Sequence, residues 1–194
     1  RRATLPRKPA ALIREVLVPI HSDGWKFIAI FLVVTLILLW LVPPLGWIAL
    51  LAARRLFGTP LQPAGLVLIA PAVDFSEELM WAQMPDAIRR TILDEGVWQR
   101  PSEYSPDPTP ITRALIEDGR KHLVLGAHIE TGCPVRILQG VQDADVPWQH
   151  AMELSSRLAR DDVVMTLVKD GDHRLSRPED IERLIAAVSE LSAA

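Results

Sequence analysis

Apolar positions along the chain fall into two regimes. From Phe27 to Ala53 they are almost continuous, and Lys26 and Arg54 bracket 27 residues without a charge. That exceeds the roughly 20 residues a membrane-spanning helix needs. It also exceeds any single strand, since strands run to about 10 residues. Pro43 and Pro44 interrupt the run. Phe27–Val42 predicts one helix, and Leu45–Phe57 a second, shorter one. Trp40 and Trp47 sit beside the proline pair, as aromatics do at a membrane interface, and basic residues flank both outer ends. This favours a hairpin with both ends on the cytoplasmic side. A single helix kinked at Pro43 is the other reading.

After Gly58 the pattern changes to short apolar runs that alternate with amphipathic stretches. Gly65–Ala70 (GLVLIA) predicts a strand buried on both faces, and Pro134–Gln139 (PVRILQ) and Val163–Val168 (VVMTLV) predict a second and a third strand. Between and after them, helices are predicted over Glu77–Gln83, over Asp86–Leu93 with Asp86 as cap and Gly96 as stop, and over Thr112–Lys121. Trp148–Arg160 and Glu179–Leu191 complete the set. The expected buried positions are Ala114, Leu115 and Leu123 around the third helix, Met152, Leu154 and Leu158 in the fourth, and Ile181, Leu184, Ile185 and Val188 in the last. Ser102–Pro110 (SEYSPDPTP) reads as a proline-rich loop. Strands alternating with helices are the grammar of a parallel sheet with crossover helices. The expected division is a basic N-terminal arm over residues 1–26, a transmembrane segment or hairpin over 27–57, and an α/β domain over 58–194.

Composition adds exclusions. A formal charge of -3 gives no reason to expect a nucleic-acid partner. The arm is locally basic through Arg1, Arg2, Arg7, Lys8 and Arg14, which suits an anionic membrane face and makes membrane lipid the expected partner. Cys133 is the single cysteine, so no internal disulfide can form. His122 and His128 are too loosely spaced for a metal site, and no cysteine–histidine pattern supports zinc. GxGxxG and P-loop patterns are absent, so no cofactor is implied.

In a parallel α/β sheet, function gathers in the loops that leave the carboxyl ends of the strands. Here those loops are Pro71–Ser76, Gly140–Pro147 and Asp170–Leu175. The second carries Asp143, with Asp145 as runner-up acid, and the third carries His173. A buried aspartate orients an imidazole and stabilises the positive charge it gains when it acts as a base. Aspartate then histidine, one strand apart at the end of the chain, is the order of an α/β hydrolase after its serine.

On these residues, Gly65–Ala194 resembles the C-terminal half of an α/β hydrolase. It is most similar to the small hydrolases related to mitochondrial acyl-protein thioesterases. Ala70-Pro71-Ala72 with Asp74-Phe75 and Trp81 resembles the start of that group's lid, and Glu103-Tyr104-Ser105 with Ile111-Thr112 its end. The resemblance implies an acid at Asp143, a base at His173 and an acyl ester or thioester substrate. Gly46–Leu56 resembles the helix behind the nucleophile. Counting back from Trp47, the serine position is occupied by Pro43, which has no hydroxyl. No G-x-S-x-G occurs anywhere in the chain.

The N-terminal part resembles bacterial phosphatidylserine decarboxylase, through Val18-Pro19-Ile20-His21, Gly24, Phe27-Ile28-Ala29 and Pro44-Leu45-Gly46-Trp47-Ile48. That resemblance implies an anchor in a bacterial inner membrane, with the C-terminal domain cytoplasmic. Pyruvoyl chemistry would need a Gly-Ser cleavage pair, and no serine here follows a glycine. The expected molecule is therefore a membrane-anchored, truncated α/β-hydrolase-type parallel sheet with acid and base but no nucleophile. A decarboxylase relative and a non-catalytic membrane interaction module are the alternatives.

Overall fold

A computed structural model describes residues 45–101 and 107–192. The chain divides into Arg1–Val42 and Pro43–Ala194, and every described residue lies in the second unit. The expected arm and the Phe27–Val42 helix lie outside the described residues, as does Pro43.

The sheet has three parallel strands in the order β1-β4-β5: β1 Leu66–Ile69, β4 Val135–Gly140 and β5 Val163–Val168. Leu66 pairs with Val135, and Val135 in turn with Val163. The central strand β4 is buried along its whole length; the two polar residues it carries are hydrogen-bonded, Arg136 to Asp162 and Glu190 and the Gln139 amide to the Val146 carbonyl. Alternation along the strands sorts side chains to two faces. Leu68 and Ile137 point into the main core. Val67, Ile69 and Leu138 point to the other face.

Three helices cover those faces. The helix α1, Leu45–Leu56, places Trp47, Leu50 and Ala53 at a spacing of three, and all three are buried. Arg54 and Arg55 fill its last turn, where cations oppose the helix dipole. Trp47 and Leu50 join Leu68, Ile137, Leu154 and Leu158 in the main core. A fully buried leucine there contributes about 1.5–3 kcal/mol. The helix α4, Trp148–Arg157, packs into the same core. On the opposite face lies α5, Pro178–Ser192, through Leu184 and Ala187.

The second arm of the expected hairpin is thus placed differently. Leu45–Leu56 is a 12-residue helix packed against the sheet. At about 1.5 Å per residue it is far shorter than a hydrocarbon layer of about 30 Å. No helix among the described residues is long and apolar enough to cross a membrane. The buried face of α1 agrees with its other reading, the helix behind the nucleophile position.

Between β1 and β4 the chain leaves the sheet and builds a smaller core. Ser76–Met80 is a π-helical turn and Trp81–Gln83 a 3-10 turn, where a regular helix over Glu77–Gln83 was expected. No side chain caps this segment, and it follows Asp74, whose φ is 52°. The helix α2, Asp86–Glu95, begins after Pro85 without a side-chain cap, so Asp86 lies in the first turn and is not the cap. It ends at Gly96, whose φ of 83° suits glycine.

Two strands were not foreseen. β2, Val97–Arg100, pairs antiparallel with β3, Thr109–Thr112. The expected loop therefore ends in a strand. Pro110 is tolerated because both strands of a two-stranded ribbon are edges. Residues 102–106 are outside the described set. The helix α3, Arg113–Gly119, is capped by Thr112, whose Oγ1 accepts the Leu115 N–H at 3.1 Å. It continues as a 3-10 turn over Arg120–His122. Ile92, Ile111 and Ile116 form the small core.

Seven expected burials are reversed. Ala114, Leu115, Leu123 and Met152 are exposed, and so is most of the α5 stripe: Ile181, Ile185 and Val188. Leu184 alone of that stripe packs inward. The helix α4 also stops at Arg157, three residues before the expected Arg160.

Candidate acid–base site

The two loops that follow β4 and β5 meet. Gly140 ends β4, and any Cβ there would collide with the carbonyl oxygens of Gly171 and Asp172. The Gln142 N–H donates to the Gly171 carbonyl at 3.0 Å. Glycine at 140 is therefore what lets the loop carrying His173 close onto the loop carrying Asp143.

His173 Nδ1 lies 2.9 Å from Asp143 Oδ2. The Asp143 side chain is fully buried, while the imidazole is 31% exposed. Asp143 Oδ1 accepts the backbone N–H groups of Asp145 and Val146, both at 2.9 Å. Burial is the largest influence on this carboxyl and pushes its pKa up. The His173 hydrogen bond and the two backbone N–H groups outweigh it and hold Asp143 below the usual carboxylate range. An ionised carboxylate only accepts, so Nδ1 carries the proton and donates. Nε2 is then left with a lone pair, which is the arrangement of a general base. The hydrogen bond that His173 donates to Asp143 raises the His173 pKa; burial opposes it, and the charges of Asp143, Asp145 and Asp172 add to the rise.

Both sequence-predicted residues are brought together, and the carboxylate that reaches the imidazole is that of Asp143. The runner-up Asp145 is exposed and contributes its backbone N–H. The oxygens of these two aspartates and a ring nitrogen of His173 lie within 4.8 Å of one another. Within that group Nδ1 and Oδ2 are engaged with each other.

The loop of His173 is braced at its ends. Asp172 Oδ1 accepts the N–H groups of Arg174 and Leu175, at 3.1 and 3.0 Å. Arg177 donates to Asp170 Oδ2 at 2.7 Å and to Asp180 Oδ2 at 2.7 Å, joining the start of the loop to the first turn of α5. Arg183 adds a bond to Asp180 at 2.9 Å. Sequence reasoning passed over this clasp, since charges around a helix start usually read as a solvated face.

Asp74 was also missed beyond its place in the lid resemblance. Its buried carboxylate accepts the N–H groups of Val124 and Leu125 at 2.8 Å each. It thereby ties the point where the chain leaves β1 to the point where it returns toward β4. Burial, the largest influence, raises its pKa despite those bonds. No local motif marks such a carboxylate.

A cavity of about 650 Å³ opens elsewhere, between α1 and α3, with Trp47, Ile48, Leu51, Phe75 and Leu115 among its walls. Neither Asp143 nor His173 lines it.

No protein-family model matches the chain. Over 147 residues it is 33% identical to "Palmitoyl-protein thioesterase ABHD10, mitochondrial" of Bos taurus, a match covering 75% of this chain and 47% of the relative. The Homo sapiens protein of that name is 31% identical over the same length. The chain thus spans about half the length of the curated relatives it matches. Among solved structures, a protein of Agrobacterium vitis S4 described as a hydrolase is 50% identical, with a TM-score of 0.69, over 75% of this chain and 57% of that one. Mouse alpha/beta hydrolase domain-containing protein 10 is 32% identical, with a TM-score of 0.65, over 76% of this chain and 58% of that one. A stretch of 42 residues is 50% identical to the phosphatidylserine decarboxylase proenzyme of Beijerinckia indica, covering 22% of this chain and 18% of that protein. The parallel sheet, its crossover helices and these likenesses together make the C-terminal three-quarters of the chain an α/β-hydrolase-like domain.

Proposed function

We propose that this chain is a membrane-anchored member of the ester and thioester hydrolase lineage that keeps Asp143 and His173 but lacks a nucleophilic serine. The observation that carries the reading is the 2.9 Å bond between His173 Nδ1 and the buried Asp143 carboxylate, in a sequence without a G-x-S-x-G turn. In such a site His173 Nε2 would take the proton of a serine hydroxyl. Asp143 would keep the ring in the tautomer that does so. Pro43, at the counted serine position, offers neither hydroxyl nor lone pair for attack. Losing the nucleophile alone lowers turnover on the order of 10⁶-fold. The chain alone is therefore an inactive or nearly inactive hydrolase scaffold, and an acyl ester or thioester is its substrate class by lineage.

Membrane anchoring is supported by the 27-residue charge-free run and by the 42-residue likeness to the decarboxylase proenzyme. That likeness favours a shared membrane address. It does not favour pyruvoyl chemistry, because the Gly-Ser pair is absent.

A fluorophosphonate probe tests the main reading. No serine should be labelled in the folded full chain; a labelled serine adjoining His173 would show that a nucleophile exists and overturn it. Alkaline carbonate extraction tests the anchor. The chain should stay in the pellet, and release into the supernatant would rule out integral insertion.

A further inference from the structure

We infer that Gln139 is the positioning residue of the acid–base pair: its side-chain amide donates to the Asp143 oxygen that also accepts from His173 and so holds the plane in which the carboxylate meets the imidazole. This rests on the reading of Asp143 and His173 as acid and base.

Gln139 is the penultimate residue of β4 and is fully buried. Its Nε2 lies 3.2 Å from Asp143 Oδ2, 3.0 Å from the Gly140 carbonyl and 3.0 Å from the Val146 carbonyl. All three neighbours are acceptors when the carboxylate is ionised. The amide orientation is therefore determined: an oxygen in the Nε2 position would face three other oxygens. The cost of this choice falls on the other end, where Oε1 is buried with no hydrogen-bond partner among the described residues.

What Nε2 does follows from counting acceptor sites. An ionised carboxylate offers about four lone-pair positions. Oδ1 takes the N–H groups of Asp145 and Val146. Oδ2 takes His173 Nδ1–H and Gln139 Nε2–H. Four donors thus meet the carboxylate. Nε2 has two N–H groups for three acceptors, so its 3.2 Å bond to Oδ2 is shared with the carbonyl bonds, yet rotation about the Cβ–Cγ bond would still lose at least one donor. Without Gln139, Oδ2 would be held by the imidazole alone, and the imidazole would have to hold its own orienter. Gln139 also donates to the Val146 carbonyl, while Val146 N–H binds Oδ1, so the amide closes the loop on itself. The charged groups facing the pair are Asp145 and Asp172, both near His173.

The test uses the full chain in detergent micelles, labelled at aspartate Cγ, histidine ring nitrogens and glutamine Nε2, and titrated by NMR. In the unmodified protein the Gln139 amide signals should shift with the same midpoint as Asp143 Cγ. In Gln139→Met, of similar size but without the donor, the Asp143 midpoint should rise by about one pH unit or more, since a hydrogen bond to an ionised carboxylate is lost. A Gln139 that only fills space would lower the thermal midpoint and leave the Asp143 titration in place, and that result would overturn the proposal. If Gln139→Met does not fold, the amide signals of the unmodified protein decide: signals blind to the Asp143 transition also overturn it. A His173 midpoint at the ordinary imidazole value in the unmodified protein would instead sink the acid–base reading itself, and this proposal with it.

Discussion

The helices α4 and α5 are built from similar amphipathic patterns, yet the fold treats them in opposite ways. In α4, His150, Ala151 and Leu154 are buried, and Leu158 just beyond its end is too. In α5 the one buried residue is Asp180, and Ile181, Ile185 and Val188 face outward. An apolar stripe shows that a helix has a face to cover. It does not show that the described part of the fold provides the cover. The strands explain the contrast. Against α4 lie β4 and β5, with α1 in the same core. Against α5 lies β1, which has β4 on one side and no strand on the other among the described residues.

The contrast reaches the site, because each helix follows one of its loops. Asp143 stands before α4 and His173 before α5. The acid therefore rests on an element held by apolar packing. The base rests on one whose first turn is held by Arg177, Arg183, Asp170 and Asp180. The largest expected effect follows from the packed side. Leu154→Ala should lower the unfolding free energy by about 2–5 kcal/mol, the range for deleting a buried leucine side chain. Ile185→Ala should change it by about 0.5 kcal/mol or less, as at other exposed positions. Urea unfolding of both variants measures the difference. Equal losses would break the comparison and would mean that the α5 stripe is covered after all.

On the clasped side, Arg177→Met removes the donor shared by Asp170 and Asp180. The site loop should then loosen while the α4 side stays as it was. Amide exchange at residues 170–175 should quicken a few-fold, in keeping with the modest strength of exposed ion pairs, and exchange at 148–157 should not change. The His173 pKa should fall back toward its ordinary value as its contact with Asp143 becomes intermittent. Uniform quickening across both loops would show that the clasp serves the whole fold and not the base alone.

These two sides also differ in how far they could be read from the residues. Asp143 and His173 were legible because loop position after a strand is a local signal, and each strand run was mostly apolar and ended at a polar or glycine-containing loop. Gln139 was not legible: one position before Gly140, it reads as the end of a strand, and its partners are set by how the 140–147 loop folds back. The burial of α4 was mostly legible and that of α5 was not, since the periodicity of Ile181, Leu184, Ile185 and Val188 is the same whether or not a neighbour exists. The ribbon of β2 and β3 was hidden by Pro110, which argues against a strand only where its missing N–H would have been needed. The π-helical turn at Ser76–Met80 has no local marker in the sequence, and it follows Asp74, whose partners Val124 and Leu125 are 50 and 51 residues away.

The smallest expected effect is the pH dependence of stability, and it separates the two loops by sign. Asp143 is held below its ordinary 3.8. Its contribution is present above that value and is lost as pH falls through the depressed folded value. His173 is held above its ordinary 6.5. Its contribution is fully present below 6.5 and is lost as pH rises through the elevated folded value. The pair therefore stabilises the fold fully between the two ordinary values, and less on either side. Urea midpoints measured across pH should show a plateau there with a shallow decline in both directions. His173→Gln should remove the alkaline decline and leave much of the acid one, because the backbone donors to Asp143 remain. Added salt should flatten the alkaline side more than the acid side. The imidazole is partly exposed and feels the charges of Asp145 and Asp172, whereas the Asp143 carboxylate is fully buried and in direct contact with its donors, a pairing that salt screens much less. An acid decline that vanishes in His173→Gln would mean that the imidazole alone, and not the four-donor cage, keeps Asp143 ionised.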